Sequence, residues 1–153
     1  MLRARFTDEM KAAMKGGDKP RLATIRLIQA ALKDRDIEAR GLGREPLSDE
    51  DILGVLQKMI KQRQESAGLY DQGNRADLAG VERAEIAVIQ GFLPQQMDEA
   101  ETAAAIEAAI ADTGAAGPKD MGKVIGALKA QYTGRMDFGR ASGLVKAALA
   151  AKG

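Results

Sequence analysis

Apolar side chains recur every third or fourth residue from Leu2 to Leu149, and no run alternates apolar with polar residues as a half-buried strand would. That periodicity predicts an all-α fold, and the residues between the apolar runs predict where each helix stops. Leu2, Phe6, Met10, Ala13 and Met14 form a first stripe that Gly16-Gly17 ends. Asp18 caps a second helix, with Pro20 in its first turn and Leu22, Ile25, Ile28 and Leu32 on one face. After a loop through Gly41, Gly43 and Pro46, Ser48-Asp49-Glu50-Asp51 forms a capping box with acids at the positive end of the helix dipole. The third helix runs from about Asp49 to Tyr70, buries Ile52, Leu56, Met59, Ile60 and Ala67, and is roughly 33 Å long at ~1.5 Å per residue. Gly73-Asn74 breaks it. A fourth helix follows, with Leu78, Val81, Ile86, Ile89 and Phe92 inward.

Leu93-Pro94-Gln95-Gln96 is the expected boundary, because proline disfavours helix at the residue before it and the composition changes just afterwards. The predicted organisation is a four-helix unit over 1–95 and a three-helix unit over 96–153. Asp98 with Glu101 reads as a second capping box, opening an alanine-rich helix anchored by Ile106 and Ile110. Gly114 to Pro118 is a turn. Two short helices complete the chain, one carrying Met121, Val124, Ile125 and Leu128, the other Phe138, Leu144, Val145 and Leu149. The second unit is near the lower size limit for an independent core.

Composition then removes whole classes of function. The 153 residues include no cysteine or histidine, so disulfides, thiol nucleophiles, Ser-His-Asp triads and zinc sites with the usual ligands are all excluded. No catalytic residue, cofactor or metal ligand is assigned. No continuous apolar stretch reads as a signal peptide or membrane span, and a cytoplasmic location is expected. The formal net charge of +1 hides an asymmetry. Asp98 to Asp112 holds five acids and no base, whereas Lys119 to Lys152 holds seven bases against Asp120 and Asp137. Such a basic tail attracts phosphate.

Four patterns are candidate sites. Gly117-Pro-Lys-Asp-Met-Gly122-Lys123-Val124 nearly matches the phosphate-binding GxxxxGK[ST] loop, but Val124 replaces the magnesium-holding hydroxyl and no strand precedes it. Asp34, Asp36 and Glu38, and later Glu82 and Glu85, read as salted helix surfaces, since residues two apart on a helix diverge. Lys58, Lys61, Gln62 and Arg63 form a polar strip suited to a partner protein. Gly122 and Gly126 share one helix face, Gly139 and Gly143 repeat the spacing, and Lys123, Lys129, Arg135 and Arg140 lie around them. Helical glycine costs roughly 1 kcal/mol against alanine, so these positions call for close approach, either of another helix or of a ribose-phosphate chain.

Ile60-Lys-Gln-Arg-Gln-Glu-Ser66, Phe92-Leu-Pro-Gln-Gln96, Met121-Gly-Lys-Val-Ile-Gly126 and Gly134-Arg-Met-Asp137 together resemble the YqeY family, as does Glu9-Met-Lys through Arg21-Leu-Ala-Thr-Ile-Arg26. The resemblance covers essentially the whole chain. It implies two helical parts, the second similar to the tail of GatB, a subunit of the tRNA-dependent amidotransferase that converts Glu-tRNA(Gln) or Asp-tRNA(Asn) to the amide. In that context the tail helps hold tRNA while chemistry occurs in other domains. Carried over onto this sequence, the resemblance implies that Lys123 and Arg135, with Gly122, Gly126 and Gly134, face tRNA or a partner, and by their charge Lys129 and Arg140 join them as expected contacts to the tRNA backbone. The leading expectation is a non-catalytic adaptor near tRNA-linked amidotransfer. A protein–protein module without RNA contact is the second, docking through the strip that holds Lys58, Lys61, Gln62 and Arg63. A carbon–nitrogen ligase using glutamine, the activity associated with the family, is the third, and no Cys or Ser-Ser-Lys-like constellation is present to activate glutamine.

Overall fold

The computed structural model describes residues 1–152 and is all-α, with no strand among them. Its helices are α1 (Leu2–Gly16), α2 (Lys19–Gly41), α3 (Asp49–Gln72), α4 (Ala76–Gln90), α5 (Glu99–Thr113), α6 (Met121–Tyr132) and α7 (Phe138–Lys152), with a short 3-10 turn at Pro118–Asp120. The chain divides into two compact units, Met1–Pro94 and Gln95 onward.

In the first unit the helix ends form where the side chains demand it. Gly17 adopts a left-handed conformation (φ 67°) that lets its N–H reach the carbonyls of α1's last turn, and Asp18 then accepts the Arg21 N–H to start α2. Ser48 and Asp51 exchange hydrogen bonds in the capping box that opens α3. The predicted inner face of α3 is the observed one: Ile52, Leu56, Met59, Ile60 and Ala67 are buried. They meet Ile25, Ile28 and Leu32 of α2, Ile86 and Ile89 of α4, and an edge-to-face pair of Phe6 and Phe92 with centroids 4.9 Å apart. The loop between α2 and α3 is held by one carboxylate. Asp36 takes two hydrogen bonds from Arg3 (2.8 and 2.9 Å) and one from the Leu47 N–H (3.0 Å), and these hold its pKa below the usual carboxylate value.

Three inward assignments are corrected. Met14, Val81 and Leu144 are 53%, 55% and 43% exposed. Met14 and Leu144 adjoin the buried Ala13 and Val145, and neighbours on a helix point roughly 100° apart; Val81 is two residues from the buried Ala79, roughly 200° round the helix. Ala13 and Val145, also expected inward, are buried, while α4 buries Ala79, Ile86 and Ile89 and leaves Leu78 half-buried.

The second unit is built from smaller side chains. Asp98 and Glu101 form the expected capping box, and Gly114 ends α5 with φ 68°. Ile106 and Ile110 pack with Val124 and Leu128 of α6 and Val145 and Leu149 of α7, with Ala105, Ala109 and Ala141 letting the helices approach closely. The Asp120 carboxylate accepts the Ala116 N–H at 2.9 Å, which lowers its pKa and ties the 3-10 turn to the preceding loop.

Candidate nucleic-acid interface

The glycine–cation pattern predicted for α6 and α7 lies on the second unit. Gly122, Gly126 and Lys129 fall on one exposed stripe of α6, with Lys123 beside it. A Cβ added at Gly122, Gly126 or Gly143 would meet nothing within 4 Å. Close packing against another helix of the second unit, one of the two explanations for these glycines, is thereby excluded at these three positions. At Gly139 the nearest atom is an Oδ1 of Asp137 at 3.3 Å, because Asp137 accepts the N–H groups of Gly139 and Arg140 at the start of α7.

The four cations differ in how free they are. Lys129 makes no ion pair among the described residues, although its carbonyl accepts the Thr133 hydroxyl. Lys123 is 70% exposed, with its Nζ 4.0 Å from Asp120. Arg140 is ion-paired with Glu99 of α5, both side chains largely in water, where such a pair contributes little stability. Arg135 is held. Its Nε–H donates to the Gln95 carbonyl at 3.0 Å, and its guanidinium lies 5.9 Å from the Tyr132 ring centroid.

Around Arg135 the chain makes a clasp that sequence reasoning missed. Gly134 is buried with φ 81°, a left-handed conformation that glycine adopts without strain. Its carbonyl accepts the Gln96 amide at 2.5 Å, and the Arg135 carbonyl accepts the Met97 N–H at 3.0 Å. Met136 is 2% exposed and belongs to the core, and Asp137 caps α7. The Gln95-Gln96 end of one motif and the Gly134-Arg135 start of the other thus meet within the second unit, whereas Phe92 and Leu93 pack in the core of the first. Both were visible as motifs, but nothing in a sequence joins residues 40 positions apart.

On the first unit, Lys58, Lys61 and Gln62 are exposed along α3 as expected. Arg63 does not stand with them. It turns inward, pairs with Glu85 of α4 at 2.7 Å and donates to the Met59 carbonyl at 3.2 Å. Of the acidic groups, Asp36 serves Arg3 and Glu85 serves Arg63, and among the described residues no three acids converge as a metal site. The Gly117–Val124 segment is a 3-10 turn running into α6, with no strand before it. No described helix is long and apolar enough to cross a membrane.

These features define an all-helical protein of two small units, the second presenting an open glycine-and-lysine stripe. A family model described as Yqey-like protein matches residues 3–149, and the chain belongs to the YqeY family. Relatives named "Altered inheritance of mitochondria protein 41, mitochondrial" are similar over much of it. The protein of Vanderwaltozyma polyspora is 32% identical over 97 residues, 59% of this chain and 51% of the relative. That of Clavispora lusitaniae is 34% identical over 94 residues, 60% of this chain and 52% of the relative. That of Pyrenophora tritici-repentis is 29% identical over 133 residues, covering 86% and 71%. The chain spans about half the length of the first two.

The names of these relatives overturn the cytoplasmic expectation: all three are named as mitochondrial proteins. The physical reason is that a lack of long apolar runs does not tell one aqueous compartment from another. Neither the family description nor these names states a catalytic activity.

Proposed function

We propose that the chain is a non-catalytic adaptor that engages tRNA through the second unit, in or near tRNA-linked amidotransfer. The observation that supports this reading most is the open stripe of α6, where Gly122 and Gly126 cover nothing in the second unit and Lys129 has no ion pair among the described residues. Exposed helical glycine destabilises the free protein, and its benefit arises when a backbone of another molecule lies against it. Lys123, Lys129, Arg135 and Arg140 supply the charge, with Arg140 exchanging Glu99 for a phosphate. The unit has seven acids and seven bases and is neutral as a whole, so binding is modest, salt-sensitive and confined to its basic side.

The test is fluorescence anisotropy of bulk tRNA across a salt series. The wild-type protein binds at micromolar concentration, and Lys123→Ala/Lys129→Ala lowers the slope of log affinity against log salt by roughly two. An unchanged slope refutes this site, and no binding at low salt refutes the RNA reading. The exposed Lys58, Lys61 and Gln62 of α3 favour a second reading, docking of a partner protein on the first unit. Capture of a protein partner that survives nuclease and high salt, and is lost in Lys58→Glu/Lys61→Glu, supports it.

A further inference from the structure

Among the cations of the proposed interface, Arg135 is the one whose side chain is held by a main-chain carbonyl, whereas Arg140 and Lys123 face exchangeable carboxylates. A free arginine side chain loses rotamer freedom when it grips an anion, and a planar guanidinium already held in place loses less. Here one N–H is used internally and two terminal amino groups are left over. The Nε–H points at the Gln95 carbonyl, and the plane lies near the Tyr132 ring at 5.9 Å. Neither terminal nitrogen makes a hydrogen bond to the described residues. The carbonyl that fixes the Nε–H is fixed in turn. Residues 95–97 are tied to the turn at Gly134 and Arg135 by the Gln96 amide and the Met97 N–H. Gly134 is buried and left-handed, so the turn itself has little freedom.

We propose that residues 95–97 and the Tyr132 ring are positioning elements that fix the Arg135 guanidinium, so that its two terminal amino groups meet one backbone phosphate of tRNA as a fork. This rests on the tRNA reading above and adds to it the residues that prepare the contact. Planar two-point recognition of a phosphate needs arginine; lysine supplies charge without the fork and has no Nε–H for the Gln95 carbonyl. The positioning residues and the contacting residue therefore differ in what their loss does. Removing a positioning residue weakens binding without changing how many phosphates are neutralised, whereas removing the arginine changes both.

The experiment uses the full chain and bulk tRNA, with circular dichroism to confirm helicity of each variant. In the free wild-type protein, the Arg135 Nε–H resonance exchanges slowly with water. Gln96→Ala and Tyr132→Leu speed that exchange and weaken tRNA binding about three- to tenfold, with the salt slope unchanged. Arg135→Ala weakens binding and lowers the slope by about one, and Arg135→Lys weakens it comparably while keeping the slope. Rapid exchange of the Nε–H in the free wild-type protein overturns the positioning claim whatever tRNA does. So does wild-type affinity in both Gln96→Ala and Tyr132→Leu, an outcome that leaves the tRNA reading standing. Failure of the wild-type protein to bind tRNA overturns both.

Discussion

The two units are both helical, yet they are held together differently. The first fills its centre with large side chains: Phe6, Phe92, Ile25, Ile28, Ile52, Leu56 and Ile89 are almost wholly removed from water. The second has no phenylalanine or tryptophan among its buried residues and uses alanines at Ala105, Ala109 and Ala141 to bring three short helices close. Volume stabilises the first, and proximity of backbones stabilises the second. The difference extends to the surface. In the first unit an inward arginine, Arg63, ties α3 to α4, whereas in the second the best-held arginine, Arg135, is half-buried and keeps both terminal amino groups spare. A unit with so small a core relies on local devices, namely a capping box, a left-handed glycine and the 95–97 clasp.

The largest expected effect follows from that contrast. Ile28→Ala opens a cavity among large neighbours and costs about 3–4 kcal/mol in chemical denaturation. Residue-resolved hydrogen exchange should show the loss in residues 1–94; equal loss of protection beyond residue 95 would mean that the units unfold as one. The second unit should fail in the opposite direction. Ala141 is fully buried where helices approach, and Ala141→Leu overpacks the site at a cost of about 2 kcal/mol. A neutral or stabilising result would show unfilled space and remove the distinction between the two cores.

The smallest effect concerns acid. Each unit has a loop amide held by a carboxylate, Leu47 by Asp36 and Ala116 by Asp120, and both carboxylates titrate below their ordinary value of 3.8. A depressed native pKa means that the stabilisation is complete above the unfolded value and is lost as pH falls through the native one. Amide protection at Leu47 and Ala116 should therefore be constant from neutrality to about pH 5 and drop below about pH 4. Asp36 has Arg3 as well as the amide, so Leu47 should hold to lower pH than Ala116. The reverse order would show that the arginine contributes nothing to the loop.

The punctuation of the helices was legible because it is local chemistry. Gly17, Asp18, Ser48, Gly73, Asp98 and Gly114 act within a turn of where they stand, and all of them end or begin helices as expected. The inner face of α3 was equally legible, since many apolar residues over a long helix leave one consistent phase. Short stretches were less so. Val81 in α4 and Leu144 in α7 are apolar residues beside the inner arc, and hydrophobicity alone does not tell which side of an alanine-rich helix is covered.

The sequence by itself determined that this chain is helical, where most helices begin and end, and which glycines and cations cluster near its end. Tertiary structure decided what those residues do. It turned Arg63 inward to Glu85, paired Arg140 with Glu99, left Gly122 and Gly126 facing open space, and folded Gln95 and Gln96 onto Gly134 and Arg135. The reason is range. A cap or a break is set by interactions a few residues long, whereas the availability of an arginine depends on which distant acid or carbonyl the fold brings within about 3 Å of it.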